Sequence, residues 1–194
     1  MKRLITVLIV ALAIMSLGVS AFATNAPSPV PSIVLEKYVS VSGNEFPNGF
    51  VIEVIKPGDF TDAVLAVYTD IESVVEQGQS ISAIFTQEEL EKMAIVLPDG
   101  TNLEKLDITE YIPLTITGEC EGIDEVEATF IIPGEYLDED VLVSMLGILN
   151  DAETVTWLPV STKVVDGKIV VNFTEDTLVS TGNWETVLMV LRAE

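Results

Sequence analysis

The sequence predicts an α+β fold, with one or two amphipathic helices in the N-terminal half and an antiparallel, β-sandwich-like C-terminal half. Three observations carry this. Between Thr61 and Gly78 the apolar residues recur at three and four, the period of a helix. From Tyr111 onward, short runs rich in valine, isoleucine and threonine replace that period. The two patterns follow one another instead of alternating, which argues against parallel strands joined by crossover helices.

Taken in order, the chain opens MKRLITVLIVALAIMSLGVSAFA, in which Lys2 and Arg3 precede an apolar run and a small-residue segment ends Ala21-Phe22-Ala23. That is the order of a secretory signal peptide, so residues 1–23 are expected to be removed on export. The apolar run is too short for a retained membrane anchor. Residues 24–32, TNAPSPVPS, carry prolines at alternate positions and read as a Pro/Ser-rich, semi-rigid polyproline II spacer. Residues 33–194 are then expected to form a single globular α+β domain, with a sub-boundary near residue 118 as the one place where it could divide.

Within that domain, Asn48-Gly49 reads as a turn before a strand over 50–55. Ala63, Val64, Val67, Tyr68, Ile71, Val74 and Val75 form the apolar face of a helix with Asp59 or Thr61 as N-cap, and Gly78 closes it. Thr86 and Glu89 have capping-box spacing for a second, shorter helix that presents Leu90 and Met93. Strands are expected over 111–117, 125–132, 141–149, 154–160, 163–173 and 186–191. Asp166-Gly167 is a strong hairpin signal, and the unbroken apolar run 187–191 predicts a central strand buried on both faces.

Composition excludes more than it assigns. The chain carries 31 acidic and 9 basic residues, a net charge of −22, and loss of Lys2 and Arg3 with the signal peptide leaves seven basic residues and −24. Such a surface repels phosphate backbones and anionic membranes. With 48% apolar residues in patterned blocks, the chain nevertheless has the material for a real core. A single cysteine allows no internal disulfide. The absence of histidine removes Ser-His-Asp and Cys-His catalysis and the usual zinc sites. No Walker loop, GxGxxG or GxSxG occurs.

The blocks Leu97-Pro98-Asp99-Gly100, Glu110-Tyr111-Ile112-Pro113-Leu114, Leu146-Gly147-Ile148-Leu149-Asn150, Trp157, and Val165-Asp166-Gly167-Lys168 with Val171-Asn172-Phe173-Thr174 resemble a group of small exported proteins of Gram-positive, clostridia-type bacteria. The resemblance implies export, a signal peptide with a Pro/Ser spacer, and a shared fold over most of the mature chain. It transfers no activity and no site.

The stretch TGECEGIDEVE, residues 117–127, surrounds the one cysteine with carboxylates. Alternation from Leu114 places Cys120 on the apolar face of a strand, flanked by glutamates that raise a thiol pKa. A buried, inert thiol is therefore expected, with an intermolecular disulfide as the alternative. If Gly122-Ile123-Asp124 were a hairpin loop, Glu121 would face Glu125 and Glu119 would face Glu127. Four facing carboxylates must splay into water or share a cation, for which calcium, an oxygen-seeking ion, is the fitting choice. Glu135, Asp138, Glu139 and Asp140 form a second acidic group, read as a loop. Trp157 and Trp184, with Tyr38 or Tyr136, could make a sugar-stacking platform, although core packing is the more ordinary role of such residues.

The reading that follows is a secreted, non-enzymatic extracellular or cell-surface module without catalytic residues, binding or structural in role, with a cell-envelope or host component as partner. A calcium-dependent binding or stabilising module centred on Glu119, Glu121, Glu125 and Glu127 is the alternative. A histidine-free carboxylate hydrolase acting on glycans is third.

Overall fold

A computed structural model describes residues 33–149, 154–182 and 185–193. The expected signal peptide (1–23), the spacer (24–32) and Trp184 lie outside them. The described residues form eight strands: β1 (Val34–Ser40), β2 (Val51–Val54), β3 (Leu106–Thr117), β4 (Glu125–Ile131), β5 (Leu142–Leu149), β6 (Val155–Val165), β7 (Lys168–Thr174) and β8 (Glu185–Ala193). Three helices accompany them: α1 (Asp62–Glu76), α2 (Gln87–Val96) and α3 (Glu175–Thr181).

The strands make one sheet in the order β1-β4-β7-β6-β5-β8-β3-β2, with every pair antiparallel. The fold is thus α+β, but the separate sheets of a sandwich are replaced by one sheet curled nearly into a barrel. Strand β6 explains the difference. The sequence reads as two segments around residues 160–163, yet the strand runs unbroken, pairing its first half with β5 and Ser161–Val165 with β7. It therefore belongs to both halves of the sheet. The following turn is the one Asp166-Gly167 predicts: both residues have positive φ, 52° and 71°, and Val165 pairs with Lys168.

Helix α1 starts at Thr61, whose Oγ1 accepts from the Val64 N–H at 3.3 Å, and stops before Gly78 at φ 60°. Helix α2 starts at a complete capping box between Thr86 and Glu89. Helix α3 stands in the half where only strands were expected. Its seven residues are too few to show a helical period, but Glu175 and Asp176 open it and Gly182 at φ 48° ends it. Strand β1 was also not expected. A bulge between Leu35 and Lys37 puts Glu36 and Lys37 together on the outside, which spoils the alternation a strand should show.

Two apolar layers result from this. Inside the curl, Phe130, Phe173, Ile112, Leu114, Leu146 and Leu188 interlock. Outside it, Val64 and Ile71 of α1 and Met93 of α2 cover Met145, Trp157, Val187 and Met189. All eight residues of β5 are buried, and the run 187–191 is buried on both faces, as its continuous apolarity predicts. Trp157 meets Phe85 edge-on at 5.3 Å and lies opposite Gly147, where an added Cβ would fall 2.6 Å from the indole ring. No helix among the described residues is long and apolar enough to cross a membrane.

Candidate functional site

The strand order separates the residues of the acidic stretch. β3 pairs with β2 and β8, and β4 pairs with β1 and β7, so residues 117–127 do not form a hairpin. The expected facing pairs Glu119 with Glu127 and Glu121 with Glu125 are corrected accordingly. Gly118, at φ 98°, turns the chain out of β3, and Cys120 and Ile123 then enter the inner core beside Leu178 of α3. Cys120 is buried, but from a connecting segment and not from a strand face. Burial pushes its thiol up, which keeps it protonated at neutral pH and disfavours a nucleophile.

The glutamates have different partners. Glu127 is ion-paired with Lys163 at 2.7 Å, and Glu125 accepts from the Asn172 side-chain amide. Glu119 and Glu121 line a cavity of about 340 Å³ with Cys120 and Leu178. Among the described residues no group of three or more His, Cys, Asp or Glu is placed to hold a metal ion. A thermal melt is expected to show the same midpoint with calcium and with EDTA, because a ligand that binds the native state alone must raise stability. A calcium-dependent rise would reinstate a shared cation.

The second acidic group is a loop, in which Asp140 accepts from the Leu137 N–H at 2.9 Å and lies 3.8 Å from Arg192. Of the residues of the expected sugar platform, Trp157 and Tyr136 are 4% and 8% exposed, too little to stack on a ligand, and Trp184 lies outside the described residues. Glu110 has the most distinctive carboxyl. A bulge between Ile108 and Glu110 precedes it, Tyr136 donates to it at 3.3 Å, and burial pushes its pKa up against the opposing effect of that hydrogen bond. A raised carboxyl favours the fold while protonated, below the ordinary carboxylate range, and that contribution is lost as pH rises through the shifted pKa. Glu110→Gln is therefore expected to melt higher than wild type at neutral pH and equally at pH values below about 4. Paired melts across that range check it.

The remaining feature is the place where the barrel fails to close. β1 and β2 are the two ends of the sheet, each with one paired and one unpaired edge, and they lie beside one another without a ladder. At one end of this seam aromatic side chains stand in for hydrogen bonds. Tyr38 packs edge-on against Phe46 at 5.2 Å and Phe50 at 5.7 Å, Phe46 stacks on Phe50, and the Tyr38 hydroxyl donates to the Phe50 carbonyl at 3.4 Å. Along the seam a groove of about 580 Å³ lies between the two edges. Its floor is apolar: Ile33, Leu35, Tyr38 and Val54 are half-buried against the inner core, and Ile52 is buried. Lys37 and Lys56 stand at its rims.

Sequence reasoning missed this site. Lys37 and Lys56 are far apart from any motif, and the strand β1 that makes the groove was itself not legible. The signal that was present is the aromatic spacing Tyr38, Phe46 and Phe50 around a turn.

These features define an antiparallel, nearly closed α+β barrel with one open seam. No family model matches the chain, and neither a curated protein nor a solved structure matches it.

Proposed function

We propose that the protein is an exported, non-enzymatic binding module, and that its site is the seam between β1 and β2. The observation that carries this is the pair of unpaired strand edges facing each other over an apolar floor. Exposed edges are normally shortened, covered or joined, because their free N–H and C=O groups template another chain. Here the rest of the sheet closes on itself and this one place does not. The fitting ligand is an extended segment that adds a strand, taking its affinity from main-chain hydrogen bonds and its selectivity from alternate side chains. Such a segment would belong to a cell-envelope or host extracellular polypeptide, in keeping with the export that the N-terminal sequence predicts.

The test is selection from a library of end-capped peptides of mixed charge, followed by amide exchange on the complex. Enriched peptides are expected to slow exchange in β1 or β2, and Val54→Arg, which puts a charge on the groove floor, is expected to abolish selection while melting cooperatively. Slowed exchange at some other place, or unaltered selection by Val54→Arg, overturns the reading.

A further inference from the structure

We infer that the strand accepted by the seam is an acidic one: an extended peptide of another protein that alternates apolar and carboxylate side chains and pairs with β1. This rests on the seam being the binding site. The argument is about which charges are left over. Seven basic residues lie in the described part of a chain with 31 acidic ones. Lys92, Lys163, Lys168 and Arg192 each have a carboxylate partner, with Glu88, Glu127, Glu36 and Asp140 respectively. Among the described residues Lys37, Lys56 and Lys105 form no ion pair, and two of these three stand at the rims of the groove.

The bulge in β1 produces this arrangement. By inserting one residue it sends both Glu36 and Lys37 outward, and Glu36 is then taken by Lys168 at 2.8 Å. Lys37 is left facing solvent without the glutamate next to it in sequence. Two acidic side chains, Glu36 and Glu53, also line the groove; Glu36 is held by Lys168, which leaves Lys37 and Lys56 against the single carboxylate of Glu53 in a chain that is strongly negative as a whole. The whole-chain field does not decide the matter, since at physiological salt it is screened beyond about 8 Å. The cations that line the groove are Lys37 and Lys56, opposed by Glu53 once Glu36 is taken by Lys168.

Geometry supplies the rest of the ligand. Successive side chains of a strand point to opposite faces, so a chain lying in the seam turns every second residue toward Ile33, Leu35 and Val54 and the others outward to the lysines. β1 and β2 run in opposite directions, because β1 is antiparallel to β4, β2 to β3, and the sheet is antiparallel throughout. An inserted strand is therefore antiparallel to one edge alone, and the seven-residue β1 offers a longer antiparallel ladder than the four-residue β2.

Fluorescence anisotropy on the full chain tests this with end-capped peptides that alternate valine with glutamate or valine with lysine. The glutamate peptide is expected to bind about tenfold more tightly than the lysine peptide. Lys37→Glu with Lys56→Glu is expected to reverse that order, and N-methylation of alternate backbone amides to abolish binding. If both peptides bind alike and the double reversal changes nothing, the acidic preference is overturned while the seam remains the site. If neither peptide binds, the lysines only guard an exposed edge, and the seam reading falls with the inference. If a polyuronate binds, with Lys37 and Lys56 required and no peptide competing, the ligand is an anionic glycan and the peptide assignment is overturned.

Discussion

Replacing Gly118 with alanine is expected to cost roughly 3 kcal/mol of stability, from backbone strain and a steric clash together. Gly118 has φ 98°, a conformation that side chains rarely adopt. A Cβ there would also lie 2.5 Å from the Gly49 carbonyl oxygen and 2.7 Å from the Phe50 Cα. Both are backbone atoms, so no side-chain rotation relieves the contact. Gly49 supplies the comparison: it has φ 85° with open space around its Cβ position, so Gly49→Ala should show strain alone, about 1 kcal/mol. Urea denaturation of the two variants separates the terms. Equal losses would mean that the close approach of the 118 turn to the start of β2 is unimportant. Because β2 forms one wall of the seam, Gly118→Ala should also weaken peptide binding there before the protein unfolds.

Trp157→Ala should have the largest effect of any single truncation in the outer layer, about 3–5 kcal/mol. The indole is 4% exposed, packs edge-on against Phe85, and fills the space that Gly147 leaves on β5. Gly147→Ala alone is expected to cost about 1–3 kcal/mol, because the new methyl group would strike a ring that its neighbours hold in place. Placed on the Trp157→Ala background, the same substitution should cost nothing further, since the ring is gone. A double-mutant cycle reads this directly as a coupling energy, and strict additivity would refute the pairing. The Glu89 carboxylate adds a polar tie by accepting from the backbone N–H of Trp157 at 3.1 Å while its other oxygen completes the capping box of α2. One side chain therefore fixes both the start of a helix and its docking on the sheet.

What could be read in advance depended on how local the determining physics was. The caps at Thr61 and Thr86, the Asp166-Gly167 turn and the double burial of 187–191 each depend on residues close in sequence, and each is visible there. Strand β1 was hidden because its bulge breaks the alternation, and α3 because seven residues cannot display a period. The acidic stretch was misplaced for a different reason. Cys120 is buried as expected, but parity does not apply to it because the strand ends at Thr117, and the facing glutamates assumed that two consecutive strands pair, whereas β3 and β4 both find other neighbours. The seam was the least legible feature of all. It is defined by which edges remain unpaired after every other pairing is made, and no local pattern records that.

Strand β8 has a consequence for how the chain reaches this state. It is the last described strand in sequence, yet it lies between β5 and β3, and β2 is attached to the rest of the sheet through β3. Strands β5, β6 and β7 can pair as soon as each emerges, whereas β3 must wait some 80 residues for its partner to arrive, as the pairing of Ile108 with Leu191 shows. Pairings of such long range are slow to form. A polypeptide still being made would therefore carry a solitary β2–β3 ribbon, with closure of the sheet delayed until β8 is present. Insertion of β8 between β5 and β3 is therefore the last pairing to become possible among the described strands.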